Sequence, residues 1–191
     1  MNPKDIAKLL TEDPDIIAET AWHISQLANV DSIIRHGLRK TERPLSNSGE
    51  GIYLSFSQRD APYFASSSPI ADIPGFVPVL VQVDVDMDDP HLVADEDQIL
   101  HATDQKPTLT KYGRQLRELA DFDNMEFADF GEASRWVLDK IDRYNIPPDY
   151  SWEARYGPTA RYNGTISPDR IEKIFSLDEN DNLTEIWTQN M

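Results

Sequence analysis

Two short fragments hold the residues best suited to chemistry. His23 lies in Trp22-His23-Ile24-Ser25, and Tyr53 lies in Gly51-Ile52-Tyr53-Leu54-Ser55. An imidazole can donate a hydrogen bond to a hydroxyl. A tyrosine ring can stack on a flat ligand at little entropic cost. Ser55 follows Tyr53 by two residues, so the two share a strand face. Arg161 can fork onto a phosphate or an acid, or close a salt bridge on an acidic chain. Glu132, Glu153 and the run Asp95-Glu96-Asp97 supply carboxylates that can stabilise positive charge. Taken singly, His23 and Tyr53 are ordinary core residue types, and only their order makes a site.

Several elements must position these residues. Asn2, Pro3 and the apolar Ile6, Leu9 and Leu10 predict a helix, and Asp13-Pro14 repeats the start signal. Residues 21–27 read as a short strand or turn. Asn29 or Asp31 can cap a helix through Val30, Ile33 and Ile34, with Gly37 beyond its end. After a polar loop, residues 51–56 form a strand and 58–66 a helix that carries Tyr63. The clearest strand spans 76–87, with Val79, Val81, Val83 and Val85 on one face and Gln82, Asp84 and Asp86 on the other. Residues 108–122 and 131–144 both carry apolar residues at helical spacing, and Pro147-Pro148 ends the second. Arg161-Tyr162-Asn163 reads as a short strand. Residues 169–177 and 183–187 read as a hairpin through Asn180-Asp181-Asn182. The expected class is α+β with mostly antiparallel pairing, in a single domain over 1–191. N-terminal helices occupy 1–20, and a helical insertion occupies 104–150.

Composition narrows the function classes. The formal charge is −16 over 191 residues. That much carboxylate repels phosphate backbones, so a general nucleic-acid binder is disfavoured. A basic partner, a salt-rich habitat, simple solubility or mimicry of a nucleic acid all fit it. Cysteine is absent, which excludes disulfides and thiolate metal sites and fits a cytoplasmic location. No apolar run nears the roughly 18 residues of a membrane span, and the first residues lack a signal-peptide core. The acidic stretch 86–97 lacks the glycine and glutamate of a calcium loop and reads as a solvated loop. P-loop, dinucleotide-fingerprint, nucleophile-elbow and zincin motifs are absent.

In order, "WHIS", the helix with "SIIRHGL", "GIYLS", "VLVQVDVD" and "ARYNGTISPDRI" resemble the ADP-ribosyltransferase-like superfamily. That superfamily includes mono-ADP-ribosyltransferases, poly(ADP-ribose) polymerases and tRNA 2'-phosphotransferases. The resemblance covers roughly 21–85 and 161–174, and implies a split antiparallel sheet with NAD as substrate. It places His23, backbone at Ile24, and Tyr53 on the nicotinamide riboside end, supported by Ser25 and Ser55. Arg161 is a candidate for the pyrophosphate. Cleavage builds oxocarbenium character on the ribose, which a carboxylate stabilises. Many members place a glutamate on the strand read here as Ala160-Arg161-Tyr162-Asn163-Gly164, where none stands. Glu153 is the candidate substitute. The phosphotransferase branch also lacks that glutamate and uses basic residues against an RNA phosphate; Arg39, Arg43, Arg59 and Arg161 are the candidate counterparts, against which the net charge argues. The expected activity is transfer of ADP-ribose to a protein or small molecule. The alternative is a catalytically silent acidic module, or a nucleic-acid mimic, that engages a basic partner.

Overall fold

Alternating valines build the middle of the sheet. The computed structural model describes residues 20–40, 50–57, 61, 74–103, 106–150, 159–178 and 180–189. The helices expected over 1–20 fall outside them except at Thr20, which opens a strand; the helix expected over 58–66 falls outside except at Ala61. Strand β3 (Pro78–Asp84) pairs with β1 (Thr20–Gln26) along its length, from Thr20 opposite Asp84 to Gln26 opposite Pro78. Its other side pairs with β8 (Ile171–Leu177), which turns into β9 (Leu183–Thr188). On the far side of β1 lie β2 (Ile52–Ser55), β7 (Thr159–Tyr162) and the two-residue β4 (Leu92–Val93). The order is β4-β7-β2-β1-β3-β8-β9, with every described pairing antiparallel. The chain is therefore α+β.

Strand alternation sorts the core into two faces. On one, Ala21, Ile52, Leu54, Val79, Val81, Val83, Ala160 and Tyr162 join Ile33 of α1 (Val30–His36), Leu38 and Ile166. Each valine, leucine or isoleucine among them contributes about 1.5–3 kcal/mol when removed from water. α1 ends at Gly37, whose φ of 72° lets Leu38 pair with Ile166. Asn29 holds the cap position but its side chain makes no capping bond. A 3-10 turn over Leu27–Asn29 leads directly into α1, and the Asn29 amide donates to Ser25 Oγ at 3.4 Å instead.

The opposite face is covered at two places. Trp22, Leu80, Leu177 and Ala61 form one patch. Val93 belongs to the other, beneath α2 (Glu96–Ile99), the hairpin β5 (Leu100–Thr103) and β6 (Lys106–Leu109), α3 (Lys111–Gln115) and α4 (Phe130–Tyr144). α4 forms where expected: Asp129 caps Glu132 N at 2.8 Å, Glu132 accepts from Ala128 N at 2.6 Å, and Asn145 ends the helix at a φ of 50°. The single helix expected over 108–122 does not form. Thr108 and Leu109 belong to β6, Thr110 caps the five-residue α3, and 3-10 turns follow at Arg117–Leu119 and Phe122–Asn124. Leu109, Leu119 and Phe122 still reach one core, so their helical spacing recorded burial from several short turns. Among the described residues no helix is long and apolar enough to cross a membrane.

Candidate functional site

β1 and β2 share one register pair, Trp22 opposite Ser55. Beside it, His23 Nδ1 lies 2.9 Å from the carbonyl oxygen of Tyr53. A carbonyl only accepts, so Nδ1 carries the proton and donates. The imidazole thus fixes the two strands where the backbone ladder stops. Alternation puts His23 on the side of Ala21, and Tyr53 on the side opposite Ile52 and Leu54. The expected pair therefore meets ring to backbone, and its side chains leave opposite faces of the sheet. Ile24 is half-buried against the Trp22 and Leu80 patch, directly across from Leu80. Ser25 is buried and accepts from Asn29. Ser55 Oγ accepts from Ser57 N at 3.2 Å and so shapes the turn after β2. Ser55 thus holds local backbone after β2, and Ser25 takes a side-chain amide at the end of β1.

The phenol of Tyr53 reaches into the acidic stretch 86–97, expected to be a solvated loop. Tyr53 Oη lies 3.0 Å and 2.9 Å from the two carboxyl oxygens of Glu96, so its one proton is donated between them. Glu96 and Asp95 are each only 7% exposed, which corrects the reading of 86–97 as wholly solvated. The reason is local. Asp95 accepts from Asp97 N and caps α2, which carries Ile99 into the second core and Glu96 in against β2. The sequence signal was the apolar residue on each side of the acids, Val93 before and Ile99 after, with an N-cap pattern between.

Burial raises the Glu96 carboxyl well above the ordinary carboxylate range, and the charges of Asp95 and Asp97 add to it. Asp95 is also raised by burial, against the pull of Arg161 and its own hydrogen bonds. Tyr53 is pushed upward by burial and by both acids, which keeps it a phenol. Chemically, a carboxyl so raised can give or take a proton next to the Tyr53 ring.

Arg161 sits opposite Tyr53 in the ladder and is 0% exposed. Its Nη1 donates to Glu50 O at 2.8 Å, and its guanidinium pairs with Asp142 of α4. It forms the salt bridge that was one of its two sequence readings. Gly51 makes room for it, since a Cβ there would lie 2.5 Å from Arg161 Cγ. Glu132 caps α4 at the surface, and Arg39 is exposed. Glu153, Tyr63, Arg43 and Arg59 lie outside the described residues.

A second polar constellation escaped the sequence reading. Asp89 receives Tyr162 Oη at 2.9 Å, Arg170 Nη1 at 3.1 Å and His91 N at 2.9 Å. Partial burial works to raise Asp89, and these hydrogen bonds outweigh it and hold the carboxyl below its ordinary value. The arrangement ties the β4 approach to β7 and β8. Among the described residues no three His, Asp or Glu side chains are grouped to hold a metal ion. Compared with known proteins, the chain matches no family model and no curated protein.

Proposed function

We propose that this protein is an NAD-dependent transferase of the ADP-ribosyltransferase-like class, moving ADP-ribose to a protein or small-molecule acceptor. The observation that carries the reading is the His23 Nδ1 to Tyr53 O bond at 2.9 Å. It joins the two motif-bearing strands side by side, which supports reading them as one site. In this reading the Tyr53 ring meets the nicotinamide from one face of the sheet. His23, whose side chain leaves the other face, braces that strand through Tyr53 O, Ile24 backbone faces the carboxamide, and Ser25 and Ser55 brace the strand ends. Arg161, enclosed by Glu50 and Asp142, supports β2 from β7 in place of gripping pyrophosphate. Glu153 is the proposed catalytic carboxylate.

The reaction breaks the bond from ribose C1' to the nicotinamide nitrogen, and nicotinamide leaves with the bonding pair. The acceptor's lone pair forms the new bond to C1' and the acceptor loses its proton. The developing positive charge on the ribose is stabilised by negative potential, which an acidic site supplies. A formal charge of −16 favours a basic protein or a small molecule as acceptor over naked nucleic acid.

The second reading keeps the fold and loses the chemistry. It is favoured by Arg161 standing on the strand where many active relatives of this class carry glutamate. The protein would then be a silent acidic module, or a nucleic-acid mimic, for a basic partner. Release of nicotinamide from NAD by the full chain separates the two. The transferase reading expects release that falls on His23→Ala, and a rate unchanged in the His23→Ala plus Tyr53→Ala variant overturns it. Binding of NAD without release favours the silent module.

A further inference from the structure

Glu96 lies outside the motif-derived site, yet the phenol of Tyr53 ends on it. The geometry says which of the two fixes the other. α2 is anchored independently of Tyr53. Gln98 is fully buried; its Oε1 accepts from Asp149 N at 3.0 Å, and its Nε2 donates to Thr159 O on β7. Thr110 N donates to Ile99 O at 2.8 Å, and the Thr110 hydroxyl donates to Gln98 O. Gly113 of α3 sits so close that a Cβ there would lie 2.6 Å from Ile99 O. Glu96 is thus presented from a turn with no room to shift. Tyr53, by contrast, is a ring on a four-residue strand that shares one register pair with β1 and four with β7, a ladder that fixes its backbone and leaves its side-chain angles open.

We propose that Glu96 is a positioning residue: it holds the Tyr53 ring at one angle, so that the helical segment sets how well the His23–Tyr53 strand pair grips a flat ring such as nicotinamide. The identity of that ligand rests on the NAD reading above; the fixing of the ring does not. Both carboxyl oxygens face the hydroxyl, so a small turn of either group keeps the contact, and the ring loses its alternative rotamers. A bound ligand then meets a ring that is already ordered, which cuts the entropic cost of binding.

Three variants of the full chain test this: Glu96→Ala, Glu96→Gln and Tyr53→Phe. In ligand-free protein, Hα–Hβ couplings at residue 53 report its χ1, and calorimetry with NAD reports affinity. We expect one χ1 rotamer in the wild type, averaging in Glu96→Ala, and recovery in Glu96→Gln, whose amide oxygen still accepts. NAD affinity should fall by about tenfold in Glu96→Ala and Tyr53→Phe, the worth of one net hydrogen bond, and return for the most part in Glu96→Gln. A single χ1 that persists in Glu96→Ala overturns the proposal, as does wild-type NAD affinity in that folded variant. Should Glu96→Ala fail to fold, Tyr53→Phe carries both arms with Glu96 in place. A wild type that ignores NAD while χ1 averages in Glu96→Ala overturns the NAD reading and sustains the fixed ring.

Discussion

Arg161 is a cation with no exposed surface, and its neutrality depends on Asp142. Removing the guanidinium takes away the donor to Glu50 O, while Asp142, 44% exposed, keeps its bond from Asn163. Because the remaining carboxylate is half in solvent, the cost is that of the lost charge-assisted hydrogen bonds, about 1–3 kcal/mol. We expect Arg161→Met to lose stability of that order in a urea melt; a loss below about 1 kcal/mol would show the pair to be idle. At this scale the sequence was half legible. The sequence pairs His23 with Tyr53, and the structure joins them ring to backbone with their side chains on opposite faces of the sheet. Glu96 could not be picked out, since an acid's partner 43 residues away leaves no trace in a charge run. Arg161 was legible only as two alternatives, because a fork suits an acid inside the protein as well as a phosphate outside it.

Among the elements, the turn at Gly37 is the most exacting. Its φ of 72° is one that side-chain-bearing residues rarely adopt, and a Cβ would fall 1.9 Å from Ile166 O. Gly37→Ala must therefore strain the turn or break the Leu38–Ile166 bridge. A cost of about 1–3 kcal/mol is expected, read as a lowered thermal midpoint. A variant as stable as the wild type would mean that the bridge contributes nothing. Gly37 was legible because a glycine just past an apolar periodic run has one common use. β3 and α4 were legible for a similar reason, since each carries its own period and α4 its own caps. Residues 108–122 were not, because Leu109, Leu119 and Phe122 reach a common core from a strand and two turns. Periodicity records which residues are buried and is silent on whether one continuous helix buries them.

For the whole molecule, pH is the variable that the buried acids control. Glu96 and Asp95 are raised in the folded state, chiefly by burial. Asp97, raised to about 7 by the same cause and by Asp95, is itself exposed and weighs less. Groups raised on folding contribute stability that is full below their ordinary values and lost as pH climbs through their folded values. Asp89 is lowered, so its contribution is present above the ordinary carboxylate value and lost as pH falls through its folded value. Stability should therefore be greatest in mildly acidic solution and decline as pH climbs above the ordinary carboxylate range of about 4. Glu96→Gln, which cannot ionise, should flatten that decline. A thermal midpoint that rises as pH climbs above that range, or a decline that the variant leaves unchanged, contradicts the raising of Glu96 on folding. A negative charge of 16 also disfavours compactness as pH rises, and the variant separates that general effect from the local one.

The central claim is that the strand pair joined by His23 and Tyr53 receives NAD, and it is tested most directly where the ligand lands. Amide resonances of the labelled full chain, followed during titration with NAD, should shift at His23, Ile24 and Tyr53 in a saturable manner. The same titration of His23→Ala should leave them still. Resonances along β1 and β2 that stay unmoved at millimolar NAD, or shifts confined to surfaces away from both strands, would contradict the account.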